Sequence, residues 1–428
     1  MTRSLASLLL LLVAIACAPF RPEGSAPARS DEGGLLAGVA AADLTPGRAV
    51  PLAGYGKRRG RAFVAVHDRP QARALVLRSG AVAVAVVSAD LLLVPRSLRE
   101  AVHSRVADLD LDGLLLAASH THSGPGGFWD NELAEVVAMG RFDRDWAEEI
   151  ADRLAGCIRR AADDAVPARV RSASESAVGL ARNRRFEDGP LDDRLGLLVV
   201  EPDGPSEAAP IAWIVDFGAH PTILGPRNLL LSGDYPGALR RRLEAETSAS
   251  VLFLNGAGGD QAPILEEGGS GFAAVEAYGA ALAERLLDLG GGLGPPSPPR
   301  LGVAHEPLVL PSVNTCPLAG PVLRALTDPL VSLFTPERTF VQAIRAGDAR
   351  LLAFPCDLGA GVGLAIRARF PGNTLLFASY ANDYVGYVVE RTSWERGGYE
   401  AMMSFYGPTL GERFEEAAGA ALRALERP

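Results

Sequence analysis

GLLLAASHTHSGPGGF, residues Gly113 to Phe128, is the stretch from which the chain is best read. Leu114–Ala118 is a short apolar run bounded by turn signals, the pattern of a strand buried on both faces. It delivers His120 and His122 two residues apart and then breaks into Ser123-Gly-Pro-Gly-Gly127. In extended backbone, residues i and i+2 face the same side. The spacing therefore predicts two imidazoles on one side of the strand's carboxyl end, with Thr121 on the other. Open α/β sheets carry their sites at that end, and neutral imidazole is a common zinc ligand. With only six histidines in the chain, a pair at this position favours metal over two satisfied loop histidines.

Outward from this stretch, β-type and helical runs alternate. Strands are expected at Ala72–Leu77, Val82–Ser88, Leu195–Val200, Ile211–Phe217, Val251–Leu254 and Leu375–Ser379, with antiparallel additions at Val170–Ala177 and Leu301–Leu310. Helical spacing marks Ser97–Asp108, Asp145–Ala162, Pro236–Glu246, Ala273–Leu289 and Leu410–Glu426. The alternation predicts an α/β domain on a mixed, mostly parallel sheet flanked by helices. LGGGLGPPSPPR, residues 289–300, is the strongest internal break and reads as a surface loop. A second strand, IAWIVDFGA, ends in His220-Pro221. Beside the first pair, His220 is the favoured third nitrogen of a composite metal site, the rest supplied by imidazole or carboxylate with a position open for water.

The 428 residues suffice for one large core or two ordinary ones. A hydrophobic content of 48% and a charged fraction of 22% are those of a globular protein. The net charge of −9 argues against nucleic acid as a partner. Residues 1–16 read as an export signal, one arginine followed by an apolar run short for a span. Ala14-Ile15-Ala16-Cys17 resembles a bacterial lipobox, which implies lipidation at Cys17, a membrane anchor, and a periplasmic or cell-surface location. Residues 17–34 then form a flexible tether rich in Pro, Ala, Ser and Glu, and residues 35–428 the single domain that carries the histidines. Cys157, Cys316 and Cys356 have no cysteine-based zinc spacing.

Val87-Ser88-Ala89-Asp90, the block Ser119–Gly127 and the Gly218-Ala219-His220 end are together similar to the neutral ceramidase family, over roughly Gly38 to Pro408. The resemblance implies a secreted or membrane-associated zinc amidase that cleaves the N-acyl bond of ceramide or a related lipid through zinc-activated water. It implies His120 and His220 as zinc ligands and His122 as a hydrogen-bonding or acid/base group. Asp357, in Phe354-Pro-Cys-Asp-Leu-Gly359, stands where the family has a ligand glutamate. Asn382-Asp-Tyr-Val-Gly-Tyr387 matches the family's tyrosine segment. Tyr387 is favoured as ligand because Tyr399-Glu400 follows it as in the family, with Tyr384 the fallback. Arg184 and Tyr399 take polar roles in the active site.

Two departures accompany the resemblance. Gly259-Asp-Gln-Ala-Pro263 has Ala262 where the family has a serine, so no serine nucleophile acts there. The family's C-terminal immunoglobulin-like domain is expected to be absent, with the chain ending in a helix. Asp90 and Asp234 are expected to orient the imidazoles, His67 to line the site, and His103 and His305 to be structural. Two other readings remain: a zinc amidase or esterase acting on another acyl compound, and a non-catalytic metal-binding surface lipoprotein.

Overall fold

The fold is that of a computed structural model describing residues 28–204, 208–372 and 374–426. The expected leader, Cys17 and most of the tether lie outside the described residues. The end of the stretch read as a tether is ordered: Arg29–Asp31 pairs antiparallel with Leu301–Val309.

Two sheets are packed face to face. The larger has eight strands in the order Ser250–Asn255, Ala212–Phe217, Arg194–Pro202, Val166–Ser176, Leu35–Asp43, Gln71–Ser79, Val82–Ala89, Gly113–Ala118. Five of its seven pairings are antiparallel. This corrects the expectation of a mostly parallel sheet. The reason is connection length: Gly80 and Ala81 alone join Gln71–Ser79 to Val82–Ala89, and a two-residue turn forces the antiparallel sense. The smaller sheet has the order Arg29–Asp31, Leu301–Val309, Arg338–Ala346, Ala349–Ala353, Thr374–Ala378, and is likewise mostly antiparallel.

The strands are apolar on both faces because both faces are covered. Leu114, Leu116 and Ala118 face the helices Arg96–Arg105 and Arg144–Asp163, whereas Leu115 and Ala117 face the second sheet. In Ala212–Phe217 the alternation repeats. Ile214 looks into the space between the sheets, and Trp213, Val215 and Phe217 pack under Asp234–Thr247 and Gly271–Gly291. Leu410–Leu425 and Ala360–Arg369 cover the outer face of the smaller sheet. The result is a four-layer helix–sheet–sheet–helix arrangement.

The two parallel pairings lie at opposite ends of the larger sheet, and each belongs to a strand–helix–strand crossover. One crossover ends just before His120; the first strand of the other ends just before His220. Curling of the sheet brings these distant edges together. Ser88 Oγ donates to the carbonyl of Phe253 at 2.6 Å, and the Asn255 amide donates to the carbonyls of Ser119 and Ala219 at 3.2 and 3.3 Å.

Candidate metal centre

The backbone does not present the imidazoles by strand alternation. The strand stops at Ala118, and His120 has a φ of +67°, in the left-handed region. A residue there breaks the i, i+2 rule, and the expectation based on that rule is corrected. Local hydrogen bonds impose the kink: the Ser119 and His120 amides donate to the carbonyls of Ala89 and Leu91, folding the chain over the neighbouring strand end. Thr121 turns inward and donates to the Ser232 carbonyl at 2.8 Å. His120 and His122 still converge, with ring centroids 4.7 Å apart.

His220 joins them, its ring 4.7 Å from His120 and 5.7 Å from His122. One nitrogen of each of the three rings lies within 4.8 Å of the others. His120 Nδ1 donates to the Leu92 carbonyl at 2.6 Å and His220 Nδ1 to the Gly258 carbonyl at 2.7 Å. A carbonyl can only accept, so both protons sit on Nδ1 and both Nε2 lone pairs turn toward the centre of the group, that of His220 toward the Tyr387 hydroxyl. These carbonyls hold the rings, in place of the carboxylates expected to do so. Asp90 instead pairs with Arg240 at 2.8 Å, and Asp234 accepts from the Tyr235 and Leu224 amides.

Asp357 completes the group. Its Oδ1 stands 3.4 Å from His220 Nε2 and 3.7 Å from His120 Nε2, and this buried atom has no hydrogen-bond partner. Its Oδ2 accepts from the Tyr384 hydroxyl at 2.6 Å. The Tyr387 hydroxyl lies 3.2 Å from His220 Nε2 and accepts from Arg184 Nη2 at 3.0 Å. Arg184 Nε is held in turn by Glu400 at 2.8 Å. Two imidazole lone pairs and a carboxylate oxygen without a hydrogen-bond partner converge on one buried point, where a cation would satisfy all three. The donor set therefore fits a metal ion.

Burial dominates the electrostatics. It lowers His120 to about 3, with the Asp357 carboxylate opposing, and pushes His122 and His220 well below the ordinary histidine value. It raises the Asp357 carboxyl and drives the Tyr387 phenol well above 10. Burial alone would weaken the Arg184 guanidinium, but Tyr387 and Glu400 hold it above its usual value. Burial thus shifts the imidazoles, the Asp357 carboxyl and the Tyr387 phenol toward their neutral forms; a bound cation opposes the shift of the carboxyl and the phenol.

His122 differs from the other two imidazoles. Its Nε2 faces His120 Nε2 at 3.1 Å, and its Nδ1 is buried without a partner, so no carbonyl fixes its tautomer. Its backbone is clamped instead: Arg58 donates to the carbonyls of His122 and Gly225. Gly54, at φ +104°, lets the chain pass His122 where a Cβ would come within 2.6 Å of the histidine Cβ. Tyr55 lies against the His122 ring with centroids 4.8 Å apart, and Tyr380 stacks on His120 at 3.7 Å. The sequence reading passed over Arg58, Gly54, Tyr55 and Tyr380, because nothing in local sequence sets them apart.

A pocket leads away from His122. Leu92, Trp129, Val137, Phe334, Met403 and Phe405 are among the side chains that line it, with Asp357, Tyr387 and Tyr399 at its polar end. Tyr399 is half-exposed, its ring 5.6 Å from that of Tyr387. His67 does not line this pocket; it stacks on Phe272 at 3.6 Å. His103 is exposed on its helix, and His305 meets Gln342 at 3.0 Å. Ala262 pairs with Arg182 in a small two-stranded ladder.

The family model for neutral/alkaline non-lysosomal ceramidase, N-terminal, matches residues 35–254, which is about half of the chain and includes all three histidines. The chain belongs to this family. It is 25% identical to the neutral ceramidase of Pseudomonas aeruginosa over 90% of this chain and 71% of that one. It is 30% identical to the neutral ceramidase of Mycobacterium tuberculosis over 47% of this chain and 34% of the relative. The crystal structure of the Pseudomonas aeruginosa neutral ceramidase superposes with a TM-score of 0.79 at 22% identity, covering 93% of this chain and 75% of that one. A ceramidase complexed with C2 gives 0.77 at 21% identity, over 92% and 75%. At these identities the superpositions establish a shared fold, so the ceramidase-family chain has the mixed α/β architecture of those structures.

Proposed function

We propose that this ceramidase-family protein is a zinc-dependent amide hydrolase that cleaves the N-acyl bond of ceramide or a related N-acyl lipid. The observation that carries the reading is an apolar pocket ending at three convergent histidines and the orphaned Asp357 Oδ1. His120 and His220 would hold zinc through Nε2, Asp357 through Oδ1 and Tyr387 through its hydroxyl oxygen. When bound, the ion supplies a Lewis acid that polarises a carbonyl and makes water a nucleophile near neutral pH.

The chain's own residues do the rest. His122, neutral and with a free nitrogen, takes the proton from the attacking water and passes it to the leaving amine. Arg184, donating to Tyr387, keeps positive charge beside the oxygen that becomes anionic as the carbonyl is attacked. The apolar pocket holds the acyl chain and keeps bulk water from the reacting amide. Tyr399, at the pocket's polar end, meets the polar part of the substrate.

The deciding experiment incubates purified zinc-loaded protein with N-acyl-sphingosines, N-acyl amino acids and simple acyl esters. Fatty acid release is expected from N-acyl-sphingosine first, lost on chelation and restored by zinc. Hydrolysis of the esters alone would replace this reading with an esterase. Export as a lipoprotein belongs to the same proposal and rests on Ala14–Cys17. Cys17→Ser is expected to accumulate precursor and change detergent partitioning, and identical partitioning would remove the anchor.

A further inference from the structure

The helical segment Cys316–Ser332 is built inside out. Its polar side chains bond along the segment to one another and to its N-cap: Asp328 accepts from the amide and hydroxyl of Thr315 at 2.7 and 2.6 Å and pairs with Arg324 at 3.1 Å, and Thr327 meets Thr315. Its apolar side chains turn outward. Val322 is 83% exposed, Leu326 69%, Leu330 60% and Leu333, just past the last turn, 75%, with Leu323 beside them. At ~100° per residue, positions 322, 323, 326, 330 and 333 occupy one stripe, with Arg324 and Asp328 on the other side. An apolar stripe of this kind facing water marks an interaction site.

Its position indicates what covers it. The segment runs straight into Phe334, Thr335 and Pro336, which wall the pocket that ends at the histidines. Val136 stands 77% exposed on the segment Glu135–Met139, whose Val137, Ala138 and Met139 also line the pocket. Exposed apolar side chains thus adjoin two segments of the pocket wall. The stripe itself carries no charge to pair with a protein surface, and a patch that adjoins the wall of an apolar pocket suits acyl chains.

We infer that the Val322–Leu333 stripe and Val136 form a docking surface for a phospholipid bilayer, seating the pocket mouth in the acyl layer so that an N-acyl lipid passes from bilayer to pocket without crossing water. The purpose of the surface rests on the proposed hydrolase reading; its contact with lipid does not. Attraction is apolar, so binding to neutral phosphatidylcholine vesicles is expected to survive high salt.

The test uses the full chain with two kinds of variant. Leu326→Trp is expected to show a blue-shifted emission with phosphatidylcholine vesicles and quenching by brominated phosphatidylcholine. The triple variant Val322→Ser, Leu326→Ser, Leu330→Ser, at exposed positions outside the pocket, is expected to lower hydrolysis of bilayer-embedded long-chain ceramide about tenfold or more, since these side chains supply the buried apolar area. Its hydrolysis of a water-soluble short-chain amide should stay unchanged. No shift or quenching of the tryptophan overturns the inference, as does an equal loss on both substrates or no loss on either. A dimer that the triple variant dissociates, without vesicle binding by the parent, assigns the stripe to a second copy and overturns it too. If Leu326→Trp is quenched while the parent hydrolyses neither amide, the hydrolase reading fails and the docking surface stands.

Discussion

The Tyr384 hydroxyl donates to Asp357 Oδ2 at 2.6 Å, and the other oxygen of that carboxylate is left free to face His120 and His220. The hydrogen bond thus sets which oxygen points at the metal position and turns the ring of carboxylate orientations into one. Asp is one methylene shorter than the glutamate that the family resemblance implies here, so this outer contact matters more for reach.

Asp357→Ala is therefore expected to lose bound zinc and activity together, as measured by metal analysis and turnover on an N-acyl lipid. Tyr384→Phe should keep the ligand but free its rotation, lowering zinc affinity by about 10–100-fold, the usual effect of losing an outer contact. Full zinc content and full activity in Asp357→Ala would make this residue a buried turn carboxylate and nothing more.

The three histidines should separate by function. His120→Ala and His220→Ala remove nitrogens whose tautomers are set by Leu92 and Gly258, and both variants should lose metal and turnover. His122→Ala removes the ring with no carbonyl partner; zinc should stay while kcat falls by about 10²–10⁴-fold, the range for one general acid–base group. Undiminished zinc binding by His220→Ala would dissolve the ligand set.

Asn255 links the two turns that carry His120 and His220 through the Ser119 and Ala219 carbonyls. Asn255→Ala strands both acceptors in a buried site, at a cost of roughly 1–3 kcal/mol. A lower Tm and weaker zinc binding are expected in the same variant. Loss of stability with unchanged metal affinity would restrict Asn255 to a structural part.

Asp216 offers a test by pH. Burial pushes it up to about 7, with the Arg367 guanidinium opposing. A carboxyl raised in the folded state favours folding fully below its unfolded value near 3.8, and that contribution fades as pH rises through 7. Asp216→Asn should therefore gain on the parent between pH 4 and 7 by up to about 1.4 kcal/mol per pH unit. The comparison cancels the three buried histidines, which act in the opposite direction. Parallel Tm curves for parent and variant would show that Arg367 keeps the carboxylate ionised.

Much of this was legible along the chain. Leu114–Ala118 and Ile211–Phe217 are apolar without interruption because helices cover one face and a second sheet the other, and that pattern predicts strands correctly. Asp145–Ala162 and Ala273–Leu289 show 3.6-residue spacing and form Arg144–Asp163 and Gly271–Gly291. Arg338–Ala346 and Ala349–Ala353 carry no plain strand signal. They are joined by a two-residue turn at Gly347 and Asp348, and Arg345 and Arg350 interrupt the apolar run while burying their stems.

The sequence by itself determined the kinds of group at the site: His120, His122 and His220 each follow an apolar strand, and Asp357 and Tyr387 sit in segments that carry a family resemblance. Only the tertiary structure decided how they meet. His120 leaves one edge strand of an eight-stranded sheet and His220 the strand next to the other edge, and they converge because the sheet curls until Asn255 can reach both. The direction of the imidazoles depends on the left-handed turn at His120 and on the carbonyls of Leu92 and Gly258. Backbone carbonyls are the same at every residue, so their placement is a property of the folded chain and has no letter in the sequence.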